Sequence, residues 1–115
     1  MDIQNCLFCK IAAGAEPATI VWENDSFMAI KNKYPAAPVH LLVIPREHVS
    51  KKAEMQKTDS GFWGEFMTAV FNVIRDQKLD KGGYKLVNNG AGYNHFDHEH
   101  MHVLGGSKEE PAGKT

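Results

Sequence analysis

Residues 39–45, VHLLVIP, constrain the fold of this chain more than any other stretch. They are apolar at nearly every position, so no face of a strand built from them can be left to water; Pro45 ends the run. Such a strand lies at the centre of a sheet covered on both sides. A 115-residue chain, 43% hydrophobic, is long enough for one such core and too short for two. We therefore expect a single domain over residues 1–106, followed by a polar tail, SKEEPAGKT at 107–115, with too little apolar content to order itself.

The other elements follow from pattern and punctuation. TIVWE and SFMAIK, β-branched and aromatic runs around an Asn-Asp-Ser turn, predict a hairpin, and GGYKLVNNG predicts a strand leaving a glycine turn. Between Asp59 and Lys78, Phe62, Phe66, Val70, Val73 and Ile74 recur at helical spacing, with Trp63, Met67 and Phe71 widening the stripe. That helix is the main cover of the sheet, and its stripe is wide enough to pack a second subunit. One short helical turn, ending at Gly14, is expected around CLFCKIAAG. The fold class is α+β: an antiparallel sheet with one long helix and a short N-terminal one.

Composition narrows the partners. A formal net charge of -1 and a pI near 6.6 lack the basic surface that a nucleic acid polymer requires, which leaves room for a small anionic ligand. No segment approaches the length of a membrane span, and MDIQNCLFCK lacks the features of a secretory signal, so a cytoplasmic protein is expected. Cys6 and Cys9 form a C-x-x-C pair, which in a reducing compartment is a metal or redox pair, or two incidental small side chains.

The chemistry gathers at FDHEHMHVLGG, where His98, His100 and His102 alternate. On a strand they share one face, about 6.7 Å apart from one to the next and ~13 Å between the outer two. One zinc ion cannot hold all three, because its ligand atoms must lie within roughly 3.5 Å of each other. At least one imidazole is left for other work, and a neutral imidazole facing a pocket is a competent nucleophile or base. Cys6, Cys9 and His48, just past the apolar strand, could close a Cys2His2 site with one end of the histidine row. His40 lies inside or at the mouth of that strand. Just before the histidines, NNGAGYNH offers Asn88, Asn94, His95 and backbone N–H groups that form either an ordinary turn or a cradle for phosphate.

Taken together, CLFCKIAAG, APVHLLVIPREHVS, LVNNGAG and HEHMHVLGG resemble the histidine triad (HIT) family over residues 5 to 106, and most closely its Hint-like branch of nucleoside phosphoramidate hydrolases, in the zinc-containing bacterial form. The resemblance implies that His100 attacks the α-phosphorus to give a nucleotidyl-histidine intermediate, with His98, His102 and His40 around it and Asn88 orienting it. It implies that Leu7 and Ile30 line the nucleobase pocket. It implies that Cys6, Cys9, His48 and His98 hold a structural zinc, with no catalytic cofactor, in a homodimer acting on purine nucleoside monophosphate conjugates. Hydrolysis of dinucleoside polyphosphates, and a zinc-stabilised nucleotide-binding module without turnover, are the alternatives; a metal-handling protein using six histidines and two cysteines is a further rival. The sequence departs from the family pattern in three places. Asn32 stands where an acidic ribose contact is usual. Asn94 and His95 replace the usual Gln and Ser or Thr in a loop one residue shorter. SKEEPAGKT replaces an extension with a Trp-Pro-Pro segment.

Overall fold

The computed structural model describes residues 6–90 and 97–106. Five strands, β1 (Ile20–Glu23), β2 (Phe27–Lys31), β3 (Val39–Pro45), β4 (Tyr84–Val87) and β5 (Met101–Gly105), form one antiparallel sheet in the order β1-β2-β3-β5-β4. The apolar run is the central strand, as its composition requires. The predicted hairpin joins β1 to β2, and the Asn24 side chain closes its turn by accepting from the Ser26 and Phe27 N–H groups at 2.9 and 2.7 Å.

Alternation along the strands divides the core in two. Phe27, Ala29, Leu41, Val43, Met101 and Val103 face the long helix α3 (Gly61–Asp76), which buries Phe66, Ala69, Val70, Val73 and Ile74 against them. Met28, Ile30, Leu42 and Ile44 face the other way and pack on Cys6, Phe8 and Ile11, from the short helix α1 (Leu7–Ala12) and the residue before it. The chain leaves α1 through Gly14, whose φ of +78° suits glycine.

Two expectations change. The α3 stripe is narrower than the sequence suggests, because Trp63 and Phe71 remain 41% and 44% exposed on the outer flank of the helix. The histidine strand starts later than predicted: pairing with β3 begins at Met101, so His98 and His100 lie on irregular backbone before it, with only a bridge from His98 to Ser50. Two short helices, α2 (Lys51–Met55) and α4 (Leu79–Gly82), lack the apolar period that would have announced them. The tail at 107–115, Asn94 and His95 lie outside the described residues.

Candidate active site and metal centre

On the α1 side of the sheet lies a cavity of about 790 Å³, within the range of small-molecule sites. Leu7, Phe8, Ile11, Ile30 and Leu42 make its apolar wall, and His100 and His102 stand together in its polar part, rings 5.3 Å apart. Asn32 reaches the same space. His98 does not line it.

Hydrogen bonds assign the protons on the rings. His100 Nδ1 lies 2.9 Å from the His98 carbonyl, which can only accept, so Nδ1 carries the proton and Nε2 the lone pair when the ring is neutral. His40, directly across β3 and β5 from Leu104, sits diagonal to His102, whose own partner is Leu42. The Ala36 N–H donates to His40 Nδ1 at 3.0 Å, which leaves the His40 proton on Nε2, 2.9 Å from His102 Nδ1. His102 therefore accepts at Nδ1 and carries its proton on Nε2. Asn32 Nδ2 also approaches His40 Nε2, at 3.3 Å, but Asn32 Oδ1 is held by the Tyr34 N–H, so the amide presents donors to the ring and cannot take its proton. Burial lowers the His40 pKa below its ordinary value and keeps the ring neutral.

The second cluster lies behind the first. His98 Nε2 donates to the Pro45 carbonyl at 2.9 Å, which turns its Nδ1 lone pair to Cys6 Sγ at 3.3 Å and Cys9 Sγ at 3.5 Å; His48 Nδ1 is 3.3 Å from Cys9 Sγ. The four ligand atoms lie within 4.8 Å of one another. Ligands ~2.3 Å (sulfur) and ~2.1 Å (nitrogen) from a tetrahedral zinc are separated by comparable distances, and a carbonyl accepting from the far ring nitrogen is the usual second partner of a ligating histidine. His48 Nε2 is buried with no partner among the described residues. Burial, with the nearby His48 and His100 adding to it, pushes the His98 pKa down to about 4 against the opposing bond to Pro45, so the ring is neutral and ready to ligate. Burial and the neighbouring Cys6 push the Cys9 thiol up to about 11. A bound divalent cation reverses that balance and draws off the proton. Cys6, Cys9, His48 and His98 thus form a group able to hold a metal ion.

The family described as "Scavenger mRNA decapping enzyme C-term binding" matches residues 5–115. A HIT-like protein of Chlamydia muridarum is 38% identical over 101 residues, 87% of this chain and 80% of that protein. The chain belongs to the histidine triad family. Among solved structures, a HIT family hydrolase from Legionella pneumophila superposes with a TM-score of 0.80 at 37% identity, covering 90% of this chain and 95% of the other. A zinc-bound histidine triad protein from Mycobacterium smegmatis gives 0.75 at 25% identity, covering 93% and 78%.

The structure thus brings His100, His102, Asn32, Ile30 and Leu7 around one cavity, sets His40 against His102 without lining the cavity itself, and places His98 with the candidate metal group. Asn88 lies behind His100: its Nδ2 donates to the His100 carbonyl and to Glu99 Oε1, both at 3.0 Å, while the neighbouring Asn89 lines the cavity. Sequence reasoning missed Phe8, whose ring touches both His98 and His100 at 5.6 and 5.2 Å, and the buried pair Lys51 and Glu99. A charge inside the histidine row, at Glu99 where an apolar residue would pack, was the available signal for the second.

Proposed function

We propose that this protein hydrolyses nucleoside 5′-phosphoramidates or related nucleoside monophosphate conjugates through a nucleotidyl-His100 intermediate. The observation that carries the reading is the tautomer of His100, whose proton is held at Nδ1 by the His98 carbonyl, so that Nε2 offers a lone pair at the cavity. His100 Nε2 attacks the α-phosphorus, and the P–N bond to the leaving amine breaks as the amine gains a proton. Solvent supplies that proton, and His102, whose Nε2–H is set by His40, donates a hydrogen bond to the departing nitrogen. Water then attacks the phosphorus, the phosphorus–imidazole bond breaks, the water's proton returns to solvent, and the nucleotide leaves. The apolar wall of Leu7, Phe8 and Ile30 suits a nucleobase, which we assign as a purine, and Asn32, on the same lining, is assigned to the ribose. Asn94 and His95, outside the described residues, are assigned to the phosphate by their place in the sequence just before the histidines.

Zinc is the metal that the Cys2His2 donor set fits, and we assign it a structural part: when bound it cross-links α1, the end of β3 and the start of the histidine segment. Two copies pair through the exposed flank of α3 and the edge strand β4, and the protein acts in the cytoplasm. The test is intact-mass spectrometry of the protein mixed with a panel of nucleoside phosphoramidates. A transient adduct of one nucleoside monophosphate, mapped to His100 and lost in His100→Ala, is expected. Binding without adduct or turnover would replace this reading with that of a nucleotide-binding module.

A further inference from the structure

His100 lies before the β5 ladder, and its peptide is held by side chains. Its N–H donates to Glu99 Oε1 at 2.9 Å, and its carbonyl accepts from Asn88 Nδ2 at 3.0 Å. Both of those side chains belong to one buried cluster. Glu99 Oε2 pairs with Lys51 Nζ at 2.8 Å, Asn88 Nδ2 donates to Glu99 Oε1 at 3.0 Å, and Lys51 Nζ donates to Asn88 Oδ1. Glu99 is 2% exposed and Lys51 8%. Lys51 opens α2, and backbone bonds from Lys51 N to Asp97 O and from Glu99 N to Val49 O stitch that helix to the histidine segment. The lysine stem also fills the space over Gly90, where a Cβ would come within 2.9 Å of Lys51 Cδ.

Burying an ammonium and a carboxylate has a desolvation penalty that an apolar pair of similar size avoids, so stability alone does not explain the cluster. We infer that Lys51 and Glu99 are positioning residues that, directly and through Asn88, lock the backbone of His100 and thereby the aim of its imidazole. Lys51 takes the Asn88 oxygen, which forces the amide hydrogens toward Glu99 and the His100 carbonyl. Glu99 then fixes the His100 N–H, and the His98 carbonyl is held where His100 Nδ1 meets it. The inference rests on the proposed role of His100 as nucleophile.

The test replaces the pair with apolar residues, Lys51→Met with Glu99→Leu, and compares Lys51→Met with Glu99→Gln, which restores an oxygen acceptor for the His100 N–H without the charges. The first double variant leaves no unpaired buried charge and should fold, though the His100 N–H and the Asn88 amide lose partners and its melting temperature falls; it should lose about tenfold or more in kcat with KM changed less than about threefold, and the second should recover most of the kcat loss. Nitrogen NMR of the histidines should show one His100 tautomer in the wild type and a mixture in the first variant. Wild-type kcat together with a preserved single tautomer in that variant would overturn the inference. Should it fail to fold, Asn88→Leu carries the same kcat and NMR expectations, and wild-type values there overturn it equally. If wild type itself forms no adduct and turns over no phosphoramidate, the proposed function fails, and the tautomer measurement alone decides the positioning role.

Discussion

The Ala36 N–H leaves the His40 proton on Nε2, and Asn32 cannot accept it there. Its oxygen is occupied by the Tyr34 N–H, so a donor group faces His40 Nε2, and the proton is left to His102. A carboxylate in the same place would accept that proton and stabilise the imidazolium, opposing the burial that lowers the His40 pKa. Asn32→Asp should therefore raise the His40 pKa. In the proposed reaction the neutral ring is the active form, so activity should be lost as pH falls through that pKa, and the acid limb of the kcat/KM profile should move to higher pH; an unmoved limb would separate His40 from the reaction. His100→Ala removes a buried ring packed on Phe8 and should lower the melting temperature, but it should leave the candidate metal group and nucleotide binding intact while turnover falls at least ~10³-fold. Turnover of a phosphoramidate within about tenfold of wild type would remove it as nucleophile.

At the scale of elements, α1 and α3 cover opposite faces of one sheet by different means. The α3 side is held by packing: Phe66 is fully buried, and Phe66→Ala should cost about 3–5 kcal/mol in denaturant titration. The α1 side buries fewer residues, because that helix has only six, and the cysteine and histidine group able to hold a metal lies beside it. Cys6→Ser should accordingly lower the melting temperature more than it lowers the kcat of the protein still folded; a wild type without zinc, or one whose melting temperature ignores chelation, would refute the assignment. The outer flank of α3, where Trp63 and Phe71 are exposed, carries the pairing expectation. Trp63→Glu with Phe71→Glu should give a monomer by sedimentation if two copies meet there.

For the whole molecule, the metal centre links acid stability to burial. The His98 pKa is near 4 in the folded chain and near 6.5 as an ordinary imidazole. Between those values the unfolded chain binds the extra proton and the folded one does not, so stability rises with pH across the window and is lost as pH falls through it. Melting temperature should drop from pH 6.5 toward 4, in step with release of zinc, and a flat profile would show that His98 is not held neutral. Among the described residues no helix is long and apolar enough to cross a membrane.

The sequence by itself determined the central strand, the hairpin, the long helix and the chemical cast of the site. An apolar run that cannot face water, a stripe at helical spacing, and histidines and cysteines in such number each leave few alternatives. Cys6, Cys9 and His48 stood out in the chain as candidates for a Cys2His2 group by residue type, with either end of the histidine row as the fourth member, and only the resemblance pointed to His98; the structure brings the four together in a group able to hold a metal ion. Only the tertiary structure decided that His98 faces the metal group while His100 and His102 face the cavity, because a strand's alternation predicts one common face and the strand begins at Met101. It alone paired Lys51 with Glu99: they are 48 residues apart, neither has a local pattern, and an ion pair that forms by burial leaves no period in the chain. The tautomers of His40, His100 and His102 were likewise invisible beforehand, since each is set by a carbonyl, an N–H or a ring that folding brings alongside.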